Sequence, residues 1–210
     1  ANASPSLGDG GILIIAGHSY YPYCAAEDNE CREETGAYVE PTLTRELAKL
    51  LKAELDSMNL KSSIANEMLG GTDERMNKSF YIERLQNTEA FRNNEAKFKE
   101  FRHVIEIHFN ATGGGARGTL LMINGTGGTD AVSSQIKDAV VKYTGVKREN
   151  IWQGLGNISY FNNLEIPFTY IEVEFYDNPT AMAEYSTKKE QIAHEIALVF
   201  KNNYGSEIAK

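Results

Sequence analysis

The chain has 210 residues, room for one ordinary domain and little more. At 41% hydrophobic and 24% charged it has the make-up of a folded protein, and its formal net charge of −8 with a pI near 5.1 argues against a nucleic-acid footprint of clustered Lys and Arg. Mean hydropathy is −0.41, and the apolar run at residues 12–16, which no other run exceeds, is far too short to cross a bilayer.

In chain order, residues 1–11 read as an N-terminal tail that opens on Ala1, with no basic start and apolar middle of a signal peptide. Residues 12–16 form a β-branched run ending in Gly17-His18, the pattern of a buried strand followed by a turn. Cys24 and Cys31 follow in a polar stretch. A disulfide closing a short loop is the expectation, which suits an exported protein; two free thiols are the competing reading. A zinc knuckle is excluded, because the spacing is wrong and no second cysteine pair exists.

From Glu40, leucines at 43, 47, 50, 51 and 55 recur at the spacing of an amphipathic helix, and Pro41 suits its first turn. A short strand is expected over residues 62–65, and a mostly helical stretch over 80–101. Further strands are expected at 103–109, 119–123 and 168–175, with helices at 130–143 and 181–202 and a C-terminal tail at 205–210. Strands alternating with helices of ten or more residues imply crossover units. The expected fold is therefore α/β: a single domain over residues 12–204, its mainly parallel twisted sheet flanked by helices on both faces.

In such sheets, functional side chains gather at the carboxyl ends of the strands. The first strand ends in His18, the second delivers His108, and the last delivers Glu172 and Glu174. Glu40 lies three positions before Leu43, on the inward face of its helix, where a carboxylate is costly unless a cation pairs with it. Two imidazoles and a carboxylate at one sheet edge make the ligand set of a catalytic zinc with one position open.

Competing readings sort by geometry. His103 and His108 are five apart, so a strand points them to opposite faces. The His103-x-x-Glu106 pair cannot chelate together on a strand, whereas Glu106 shares a face with His108 and can support it. His194, beside Glu195 and near Lys188 and Lys189, reads as a surface residue. Glycines 113–115 and 127–128 lack the Lys and spacing of a phosphate loop and read as turns. No Gly-x-Ser-x-Gly elbow or Cys-His-Asn set supports a serine or thiol hydrolase.

The segments Ile14-Ile15-Ala16-Gly17-His18, Glu40 opening its leucine-striped helix, Ile105-Glu106-Ile107-His108-Phe109-Asn110-Ala111, and Tyr170-Ile171-Glu172-Val173-Glu174-Phe175-Tyr176-Asp177-Asn178 together resemble the zinc-dependent N-acetylmuramoyl-L-alanine amidases of bacterial autolysins and phage endolysins. The resemblance runs in order from about residue 12 to 200. It implies Zn2+ bound by His18, Glu40 and His108, with Glu172 as the catalytic carboxylate acting on water. Gly154 matches a family glycine usually preceded by Arg; here Gln153 stands before it, and Asn66-Glu67 stands where the family tends to place Thr-Arg. Asn110, Glu106, Gly154 and Glu174 are the candidate substrate-contacting or supporting residues, Glu174 occupying a position that is often small in relatives.

The activity so implied is hydrolysis of the amide between the lactyl group of N-acetylmuramic acid and L-alanine in peptidoglycan. The enzyme is expected to be a monomer acting outside the cell at the wall, with no nucleic-acid partner and no membrane insertion, any wall-binding domain lying outside this stretch. Two other classes fit the same residues: a zinc peptidase or deacylase on another peptide, and an inactive wall-binding module. The intact His18, Glu40, His108 and Glu172 set argues against the latter.

Overall fold

The structure, a computed structural model, describes residues 10–17, 40–65, 95–123, 130–152 and 156–210. Its strands are β1 (Gly11–Ala16), β2 (Ser62–Ile64), β3 (Phe101–Asn110), β4 (Leu120–Ile123), β5 (Ile151–Trp152) and β6 (Phe168–Phe175). The described helices are α1 (Glu40–Ser57), α2 (Ala131–Thr144), α3 (Gly156–Asn163), α4 (Pro179–Ser186) and α5 (Lys189–Ile208). One sheet runs in the order β2-β1-β3-β6-β4-β5. Strands β2, β1, β3 and β6 are mutually parallel, so the expected α/β class with a mainly parallel sheet is what forms.

β4 breaks the pattern by pairing antiparallel with β6, and β5 follows β4. The connection explains it. Only nine residues, 111–119, separate β3 from β4, too few for a crossover back to the strand's starting edge. The chain therefore passes over the carboxyl end of β6 and descends on its far side.

The parallel strands are apolar on both faces, as strands covered on both sides must be. One face packs Ile12, Ile14, Ile105, Ile107, Ile171 and Val173 under α1, α2, α4 and α5. The leucine stripe is as spaced: Leu47, Leu51 and Leu55 are fully buried, while Leu43 and Leu50 are partly so. The other face packs Leu13, Ile15, Val104, Phe168 and Tyr170 with Phe98 and with Ile158 and Phe161 of α3. Helices thus cover both faces.

Several boundaries differ from expectation. β3 begins at Phe101, a buried aromatic that pairs with Gly11, and not inside a helix; of the expected helical stretch only its end is described, with a helical turn at 95–98. The closing helix is two helices. Ser186 and Thr187 hydroxyls donate to the carbonyls of Ala183 and Glu184, local bonds that end α4 before α5 starts. α5 then runs to Ile208, which is fully buried. Lys61 N–H donates to the Ile208 carbonyl and Lys210 N–H to that of Asn59, so 205–210 is integrated in the fold and is not a tail. The two-residue β5 and eight-residue α3 had no periodicity long enough to read.

Candidate active site

Parallel register sets the site. His108 on β3 lies beside Glu172 on β6, and Glu106 lies beside Tyr170, so all four stand on one face near the carboxyl edge. His108 is 1% exposed, Glu106 0%, Glu40 5% and Glu172 6%. Tyr170 stacks flat against the imidazole, ring centroids 4.2 Å apart and planes 2° off parallel. His103, as strand alternation demands, is on the opposite face against Phe200 and Tyr204 of α5.

The first residue of α1, Glu40, reaches this edge. Its Oε1 lies 3.3 Å from His108 Nδ1 and accepts from the Phe109 N–H at 3.0 Å. The other ring nitrogen, Nε2, is 3.0 Å from Glu106 Oε2. With one proton held on Nε2 by Glu106, loss of the Nδ1 proton would leave a lone pair turned toward Glu40, the tautomer a metal ligand requires.

Gly17 fixes the approach of β1. Its N–H donates to the Ile107 carbonyl at 2.8 Å, and its carbonyl accepts from Thr44 Oγ1 of α1 at 2.6 Å. A Cβ there would lie 2.5 Å from both Cε1 and Nδ1 of His108, so only glycine lets the strand end this close to the ring. His18, the next residue in sequence, falls outside the described residues, as do Gly154, Cys24 and Cys31.

Burial alone would drive the proton off His108, but hydrogen bonds to Glu106 and Glu40 and the charge of Glu172 reverse this and raise its pKa to about 10. Among the described residues, the carboxyl groups of Glu40, Glu106 and Glu172 gather around one imidazole, a donor set suited to a cation. Carboxylate and imidazole are borderline-hard donors that suit zinc. Among the described residues no three-donor metal cluster is present; Glu40 and His108, two of the three residues expected from the sequence to bind metal, lie 3.3 Å apart.

Two expected contributors serve the neighbouring backbone. Glu174, 1% exposed, is turned into the 111–119 connection: its Oε1 accepts from Gly118 N–H at 2.6 Å and Phe175 N–H at 2.9 Å. Asn110 Oδ1 accepts from the Ala111 N–H, and its carbonyl accepts from Tyr176 N–H. His194 is on the surface, 2.8 Å from Glu54 of α1. Tyr170 was missed in the sequence, although a readable signal existed: it lies two residues before Glu172, the same period-2 spacing that links Glu106 to His108.

Residues 12–202 match the family described as N-acetylmuramoyl-L-alanine amidase. The chain belongs to that family. Among solved structures, it is similar to an N-acetylmuramoyl-L-alanine amidase from Clostridium difficile 630, with a TM-score of 0.67 at 20% identity over 93% of this chain and 97% of that one. The amidase AmiC2 of Nostoc punctiforme aligns with a TM-score of 0.66 at 14% identity, covering 93% and 97%. The catalytic domain of CD27L, an endolysin targeting Clostridia difficile, aligns with a TM-score of 0.57 at 20% identity, covering 91% and 97%. At these identities the likeness concerns the fold. No curated protein matches the chain.

Proposed function

We propose that the protein is a zinc-dependent hydrolase of the amide that joins the lactyl group of N-acetylmuramic acid to L-alanine in peptidoglycan. The observation that carries this is the meeting of Glu40 with His108 Nδ1 beside Glu172, in a chain that belongs to the amidase family. His18, Glu40 and His108 would hold the metal. When bound there, zinc supplies Lewis acidity toward an amide carbonyl and toward water.

The chain's own residues supply the rest. Glu106 keeps the His108 proton on Nε2, and Tyr170 holds the ring plane by stacking. Glu172 is the general base: it takes a proton from the attacking water as the new C–O bond forms. It then delivers that proton to the alanine nitrogen as the C–N bond breaks, leaving a lactyl carboxylate and a free stem peptide. With no helix among the described residues long and apolar enough to cross a membrane, and with a wall polymer as substrate, the proposed place of action is the bacterial cell wall.

Labelling of amino groups after digestion of purified walls tests the bond that is cut. New N-terminal alanine supports the amidase reading. New N-termini of any other stem residue would instead identify a peptidase, and no new amine would identify a wall-binding module.

A further inference from the structure

The connection that passes over the end of β6 is fastened to β6, to the turn that follows it and to α4. Asp177 Oδ2 accepts the N–H groups of Thr112, Gly113 and Gly114 at 2.8, 2.7 and 2.9 Å. Asn178 Nδ2 donates to the Ala116 carbonyl at 3.0 Å, and Glu174 accepts from Gly118 N–H. Thr119 Oγ1 donates to the Val173 carbonyl at 2.9 Å, and Arg117 forms an ion pair with Glu184 of α4.

Glycines 113, 114 and 115 have φ of +90°, +101° and +85°, a run that L side chains rarely adopt. Added Cβ atoms at 113 and 115 would meet nothing within 4 Å, so these glycines answer a backbone requirement and not a packing one. The curvature turns three successive N–H groups onto one carboxylate oxygen. The carbonyls of residues 112–115 receive no hydrogen bond from any described residue, and residues 111–115 are exposed. The segment therefore offers solvent a row of acceptors, without side chains at 113–115, immediately after the strand that carries His108 and across the strand that carries Glu172.

We propose that residues 111–119 form a pre-built rim of the substrate groove, whose carbonyls accept hydrogen bonds from the amide N–H and hydroxyl groups of the peptidoglycan strand, and that Asp177 is the positioning residue that holds it. This rests on the amidase reading. A rim ordered before substrate arrives spares the complex the cost of ordering it on binding, so loss of Asp177 weakens substrate capture more than chemistry.

The test is steady-state hydrolysis of soluble muropeptides by the zinc-loaded full chain and by Asp177→Ala and Asp177→Asn. Asp177→Ala is expected to raise KM about tenfold, with kcat changed less than threefold and zinc content intact. Asp177→Asn, which keeps a neutral acceptor, is expected to fall between the two. Shortening the stem peptide at fixed sugar, or the sugar at fixed peptide, identifies the part that meets the rim as the one whose removal erases the Asp177→Ala penalty.

A KM within twofold of wild type would overturn the proposal. So would a parallel loss of kcat and zinc at unchanged KM, which marks a merely structural role. Amide hydrogen exchange reads the clamp without catalysis: protection at Thr112, Gly113 and Gly114 that drops in Asp177→Asn supports it, and fast exchange in wild type overturns it. A wild-type enzyme that leaves muropeptides intact would remove the amidase reading itself, with exchange still deciding the clamp.

Discussion

At the imidazole of His108, the proposed zinc ligand, proton and metal would compete. With its pKa raised to about 10, the ring holds both protons at neutral pH, and a metal bound as proposed would have to displace the one on Nδ1. Zinc affinity is therefore expected to weaken by roughly tenfold for each unit of falling pH below 10, measurable by chelator competition at several pH values. The sign for metal-free stability is opposite: the raised pKa stabilises the fold fully below the unfolded value of 6.5, and this is lost as pH rises toward 10. His108→Ala is expected to lose zinc and activity together, whereas Glu172→Ala keeps zinc and loses at least ~100-fold in rate, both read by metal analysis beside turnover. A Glu172→Ala protein without zinc would move that residue into the ligand set. Glu106, Glu172 and the opposed faces of His103 and His108 were legible because strand alternation is rigid. Glu174 was not: alternation places it on the site face, but the register shift between His108 and Asn110 opens the sheet there, and the bared amides of Gly118 and Phe175 capture its carboxylate.

At the scale of elements, α2 and α5 are joined to the sheet by a polar chain on the face away from the site. Tyr204 O–H meets His103 Nδ1 at 2.9 Å, and His103 Nε2 meets Thr169 Oγ1 at 2.7 Å. Thr169 meets Ser133 at 2.5 Å, and Ser133 donates to its N-cap Asp130 at 2.6 Å. Every hydrogen in this chain is assigned if His103 is neutral with its proton on Nε2. Burial, aided by Arg102 and opposed by Asp130, lowers its pKa to about 4. The unfolded chain then binds a proton near pH 6.5 that the folded chain refuses, so stability is expected to fall as pH drops from 6.5 toward 4, by up to ~1.4 kcal/mol per unit. Denaturant melts of wild type and His103→Gln across that range check it: the variant's slope should be shallower. The periodic elements were readable because a leucine stripe or a β-branched run dictates one burial pattern. The α4–α5 break was not, because the Ser186 and Thr187 bonds that cause it leave the apolar period almost undisturbed.

For the whole molecule, the topology concentrates chemistry at one edge: the ends of β1, β3 and β6 and the start of α1 all meet there, and a nine-residue connection crosses above them. The meeting of Glu40 with the edge that carries His108 and Glu172 was legible from strand and helix ends, whereas the antiparallel direction of β4 was not, its one mark in the sequence being a nine-residue connection too short for a crossover. Cys24 and Cys31 lie in sequence between His18 and Glu40, and their proposed disulfide is expected to leave no titratable thiol in the native protein without reductant; two reactive thiols would remove it. Mass spectrometry of the products released from purified peptidoglycan, with and without a chelator, reads metal-dependent cleavage at the lactyl–alanine bond. Free stem peptides beginning with alanine and glycan strands with intact lactyl groups are the expectation, their release abolished by chelation and restored by zinc. Products cut within the stem peptide, or the same release from the chelated enzyme, would contradict it.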